Sequence, residues 1–149
     1  MSEHRAPLVP EDIEGLATVP GVANIRWTTT VLDCSDPIEL ADFYAALLGS
    51  ARQRVSADFH VVRSGTAWLA AQRVQTHKPS SWPDAAVPKQ MHLDLSVDDL
   101  ESAVETAKRL GAVEETVQPA AERWRVMRDP AGHLFCLSHH IADYLPLDS

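Results

Sequence analysis

The sequence predicts an α+β fold. Two βαβββ modules pair to form one curved mixed sheet, with a helix from each module on the convex face and a ligand cup on the concave face. Two observations carry this expectation. A strand, an amphipathic helix and three short strand-like runs occur once before residue 77 and again after residue 89. Each half is also too small to bury one face of its own sheet, so the two halves have to combine around a shared core.

Taken in order, residues 1–23 are punctuated by Pro, Glu and Gly and read as an N-terminal arm laid on the surface. The first module, residues 24–76, opens with "NIRWTTTVLDC", a strand rich in β-branched residues. In "SDPIELADFYAALLG", Asp36 is the helix cap, Pro37 suits the first helical position and Glu39 completes a capping box. Leu40, Phe43, Tyr44, Leu47 and Leu48 share one helical face, and Gly49 is the stop. "ARQRVS", "FHVVRS" and "AWLAAQRV" are three strand candidates, the last two joined at "SGT". Residues 77–89 carry prolines that exclude a continuous ladder, so they form a linker or a pocket rim.

The second module, residues 90–141, repeats the order. "MHLDLSV" is a strand. "DDLESAVETAKRLG" is a helix with Asp98 as cap, Glu101 closing the box, a buried stripe of Leu100, Ala103, Val104 and Ala107, and Gly111 as the stop. "AVEETV", "RWRVMRD" and "HLFCLSHH" are the remaining strands, with a hairpin turn at "DPAGH". Residues 142–149 are a tail. Strand alternation points His92 and Asp94 into the cup and packs Leu93 and Leu95 under the helices.

Bulk properties exclude several function classes. The net charge of −8 comes without a run of Lys or Arg, so neither nucleic acid nor an anionic membrane is an expected partner. No apolar stretch reaches the roughly 18 residues of a membrane span. The first fifteen residues have no apolar run of the secretory kind. Cys34 and Cys136 do not make a disulfide framework. The expectation is a cytoplasmic protein with reduced thiols.

Three stretches, "DPIELADFYAALLG", "HLDLSVDDLESAVETAKRLGA" and "RVMRDPAGHLFCL", together resemble the vicinal-oxygen-chelate superfamily. That superfamily includes glyoxalase I, extradiol dioxygenases and the bleomycin- and fosfomycin-resistance proteins. The similarity is greatest to its small glyoxalase-like domain proteins. It implies a scaffold that hosts many chemistries, and it does not imply a reaction.

The resemblance also implies where a divalent metal would sit, with one ligand from each of four strands, typically His, Glu, His and Glu. His92 matches the third ligand. The first falls on Thr29, or on Thr30 in the alternative register. The second falls on Gln72 and the last on Cys136. Thr and Gln are poor ligands for zinc or iron, and a catalytic zinc normally takes three protein groups. No cofactor is therefore expected. If a metal is bound, His92 with Cys136 and Gln72 would hold it.

His92 keeps three readings: a pocket-wall imidazole bonded to Asp94 or backbone, a general acid/base partnered by Asp94, or a metal ligand. Cys136 is either a small buried hydrophobe or a nucleophile activated by His92. Trp27 and Trp68 share strand parity with Thr29 and Gln72, so all four line the cup in this reading, and Trp82 is placed to lid it. His139 and His140 are neighbours on a strand and cannot chelate together, so they read as surface residues.

Three functions compete. The first is a metal-independent protein that binds a small organic molecule, of the sequestration or resistance type. The second is a metal-independent lyase, isomerase or hydro-lyase using His92 and Asp94. The third is a metal enzyme with an atypical ligand set. Whether the chain is an enzyme stays open at this point. A homodimer is expected, because exposed sheet edges need cover and the N-terminal arm is long enough to cross to a partner.

Overall fold

The computed structural model describes residues 27–139, so the predicted arm, the tail and His140 lie outside the described residues. The order is β1 (Thr30–Cys34), α1 (Pro37–Leu47), β2 (Arg52–Arg54), β3 (Phe59–Ser64) and β4 (Ala67–Arg73). It continues with β5 (Leu93–Ser96), α2 (Leu100–Leu110), β6 (Val113–Glu114), β7 (Trp124–Arg128) and β8 (Leu134–Ser138). The α+β class and the paired βαβββ modules are as the sequence predicts.

The ladders run as two four-stranded mixed sheets, one per module, ordered β1-β4-β3-β2 and β5-β8-β7-β6. In each, the first strand pairs parallel to the last and the others pair antiparallel. β1 and β5 are therefore edge strands. Residues of both border a groove of about 420 Å³, together with part of the loop between the modules.

Capping explains where the helices begin. Asp36 accepts from the amides of Ile38 and Glu39, and Pro37 occupies the first turn, where its missing N–H costs nothing. In α2 the cap is Asp99 and not the expected Asp98: its carboxylate accepts from Ser102 N at 2.8 Å. The shift moves Glu101 off the box-closing position, and it pairs with Arg125 instead. Two adjacent aspartates satisfy the same N-cap rule, and the helix starts after the second. α2 ends on Gly111 at φ 113°, a left-handed stop that other residues enter only with strain.

One core joins the modules. Leu40, Phe43 and Tyr44 of α1 and Val104 and Ala107 of α2 pack with Val62, Ala71, Met127, Phe135 and Leu137 from the two sheets. Phe43, Tyr44 and Phe135 form a triangle of edge-to-face rings with centroids 4.9–6.2 Å apart, so the contact crosses the module boundary. The Tyr44 hydroxyl donates to Asp129 Oδ2 at 2.8 Å. Asp129 Oδ1 accepts from the amides of Ala131 and His133 and so shapes the β7–β8 turn. Burial pushes the Asp129 carboxyl up and the Tyr44 phenol well up. A single buried pair thus locks the turn of one module to the helix of the other.

Candidate functional site

The second sheet turns two rows of side chains away from the helices. Leu93 and Leu95 pack into the main core, so by alternation His92 and Asp94 face the other way. Strand pairing sets Asp94 beside Cys136, and Cys136 beside Val126. The next row is Ser96, Ser138 and Trp124. Val126, Leu134 and Cys136 form a small second apolar cluster, against which Trp82 and Trp124 pack. Above this floor lies a cleft of about 470 Å³, with Lys89, Arg123 and Pro119 among its walls.

The loop that carries Trp82 is fastened rather than draped. Its own ends are tied through Ser81 and Val87. Arg128 Nη1 donates to Ser80 O at 2.8 Å and to Gly132 O at 2.9 Å, Nη2 donates to Trp82 O, and Nε pairs with Glu115. The backbone at Gly132, φ 89°, passes so close to the loop that a Cβ there would stand 2.6 Å from that of Pro79. Only glycine fits that approach.

At the polar end of the floor, His92 Nε2 and Asp94 Oδ1 are 3.5 Å apart, and both side chains are partly exposed. Cys136 is buried and stands opposite Asp94 in the β5–β8 ladder. Burial, then the charge of Asp94, pushes its thiol up to about 11 against the opposing pull of Lys89. At neutral pH the sulfur therefore carries its proton. A nucleophilic cysteine needs the opposite environment.

The candidates from the sequence separate into two groups. His92, Asp94 and Cys136 come together in one cleft with Trp82. Trp27, Thr29, Trp68 and Gln72 lie on or beside the first sheet. Trp27 is 83% exposed, and Thr29 Oγ1 donates to Trp68 O at 3.1 Å. Trp68 has the Arg63 guanidinium over its ring, and Gln72 stands exposed beside Asp33 in the β1–β4 ladder. None of these four borders the cleft of the second module. His139 is exposed. Sequence reasoning did not single out Lys89, Arg123 or Arg128. The alternation of "RWRVMR", registered on the "DPAGH" hairpin, carries the signal for Trp124 and Val126. The two loop cations have no such signal.

As a metal site, His92, Asp94 and Cys136 offer one nitrogen, one oxygen and one sulfur within 4.8 Å of one another. Three protein donors of this kind match in number what a catalytic zinc takes, and the sulfur suits zinc better than a hard ion such as manganese. Asp94 supplies the donor that the resemblance had assigned to Gln72. If an ion bound here, these three side chains would hold it, and the Cys136 proton would have to leave.

Comparison with known proteins gives a consistent result. The family model described as "Glyoxalase-like domain" matches residues 29–138. No curated protein matches the chain. Among solved structures, the fosfomycin resistance protein FosX from Mesorhizobium loti is similar at 14% identity and a TM-score of 0.57, covering 82% of this chain and 93% of that one. A glyoxalase-related enzyme from Fulvimarina pelagi is 17% identical, with a TM-score of 0.58 and coverages of 76% and 86%. A mutant FosX from Listeria monocytogenes, complexed with Mn(II) and 1S,2S-dihydroxypropylphosphonic acid, is 13% identical at a TM-score of 0.59, covering 82% and 91%. At these identities the likeness is one of fold.

Proposed function

Since the chain belongs to the glyoxalase-like domain family of the vicinal-oxygen-chelate superfamily, we propose that it binds a small organic molecule in the cleft of its second module, without a metal. The observation that carries this reading is the cleft itself. It is a hollow of about 470 Å³ whose apolar floor and indole walls surround a few convergent polar groups, as ligand pockets do. Two of the four positions where the superfamily holds its metal support the metal-free form: Thr29 spends its hydroxyl on Trp68 O, and Gln72 is an exposed amide. Sequestration is the simplest use of such a pocket.

Two other readings rest on specific contacts. The approach of His92 to Asp94 favours a metal-independent lyase, isomerase or hydro-lyase, with His92 exchanging a proton with the ligand and Asp94 orienting the imidazole. The three-donor cluster, and the Mn(II) of the Listeria neighbour, favour a metal enzyme. Elemental analysis of protein purified without chelator or added metal separates the metal reading from the others. The expected result is no stoichiometric transition metal. About one zinc, iron, nickel or manganese ion per chain, lost on His92→Ala, overturns the metal-free reading.

We also propose a homodimer located in the cytoplasm. Among the described residues β1 and β5 each leave one backbone edge unpaired in their sheets, and Val31 in β1 and Met91 before β5 are exposed, a combination that folded chains usually cover. The free, buried cysteines suit a reducing compartment. Among the described residues no helix is long and apolar enough to cross a membrane. Light scattering is expected to give twice the 16.4 kDa chain mass, and a monomer at every concentration would count against the dimer.

A further inference from the structure

We infer that the ligand of this cleft is a flat organic anion, with its planar body against Trp82 and Trp124 and its acidic group at the mouth between Lys89 and Arg123. The inference rests on the cleft being the binding site, and it adds the chemical class of the occupant.

The apolar part of the argument comes from the walls. Trp82 from the loop and Trp124 from β7 both pack on the Val126–Leu134–Cys136 floor and both border the hollow. Indoles present wide, rigid, polarisable faces and lose little conformational freedom on contact, so they suit a flat ring or conjugated system better than a branched aliphatic one.

The charge argument is independent of the walls. The chain carries a net charge of −8, yet Lys89 and Arg123 both face this one cleft. Each cation rests on an indole: Lys89 Nζ is 5.7 Å from the Trp82 ring centroid and the Arg123 guanidinium carbon 6.0 Å from that of Trp124. Those distances lie at the outer reach of a cation–π contact, so the cations are held at the mouth but weakly engaged. An acidic group arriving there gains two charge-assisted partners in exchange for contacts that are individually small. Asp94 is the carboxylate among the lining residues. It stands opposite Cys136 in the β5–β8 ladder, with His92 Nε2 3.5 Å from its carboxylate. In an acidic protein such a mouth is a local funnel for anions.

The test is isothermal titration of the full chain with two probes of the same shape, 2-naphthoate and the uncharged 2-naphthamide. Naphthoate is expected to bind roughly 10-fold or more tightly than the amide, a difference of one protein–ligand charge pair. In the Lys89→Gln, Arg123→Gln double variant that preference should fall to about 2-fold or less, and added salt should weaken naphthoate more than the amide. Trp124→Ala should weaken both probes. Equal affinity for the two probes, with both sensitive to Trp124→Ala, overturns the anion inference and leaves the cleft as a binding site. Binding of neither probe, or binding indifferent to Trp124→Ala, removes the cleft reading and the inference together.

Discussion

Phe135→Ala is expected to lower the unfolding free energy by about 3–5 kcal/mol, the usual range for deleting a fully buried ring. The side chain is 0% exposed and its ring lies against both Phe43 and Tyr44, so the truncation empties the point where α1 of the first module meets β8 of the second. The cavity is walled by two rings already held edge to face and by the Tyr44–Asp129 bond, which restrict collapse into the space. Denaturant melts measure the effect, and for a domain of this size a Tm lower by roughly 10 °C or more should accompany it. His92→Ala is the natural control. Its side chain is partly exposed on the opposite face of the same sheet, so it should leave stability within about 0.5 kcal/mol and act on ligand binding instead. If His92→Ala unfolds the protein and Phe135→Ala does not, the assignment of the two sheet faces is inverted.

Arg128→Ala should carry the second large effect, about 2–4 kcal/mol of stability, together with loss of ligand affinity. One guanidinium holds the carbonyls of Ser80, Trp82 and Gly132 and pairs with Glu115, whose side chain is only 14% exposed. Removing the cation leaves that carboxylate with little water and no counter-charge, and leaves loop carbonyls without their donor. Trp82 would keep its place in the sequence but lose the bond that fixes its backbone over the floor. Arg128→Lys restores the charge and not the fork, so it should recover part of the stability and less of the affinity. Urea melts and probe titration on the same two variants separate these contributions. If Arg128→Ala and the parent chain give equal stability and equal affinity, the loop is held by other contacts.

The sequence by itself determined the modules, the helices and the faces. Period-2 alternation in "HLDLS" is enough to put Leu93 and Leu95 in the core and His92 and Asp94 outside it, because a one-residue slip would bury the polar pair. Asp36, Pro37, Gly111 and the "DPAGH" turn act within a few residues of themselves, so their chemistry is readable locally. At Asp98 and Asp99 two neighbours satisfy the same local rule, and the sequence alone does not separate them. What only the tertiary structure decided is which candidates share a cleft. Asp94 and Cys136 are neighbours because β5 pairs with β8 across an intervening helix and two strands, a register no local period encodes. Thr29, Trp68 and Gln72 have the right parity too, but they belong to a sheet with its own ladder and do not border that cleft. Lys89, Arg123 and Trp82 come from irregular segments, where no period predicts direction. Their positions follow from long-range ties such as the Arg128 bonds to the loop, which form only once the two modules have closed on one core.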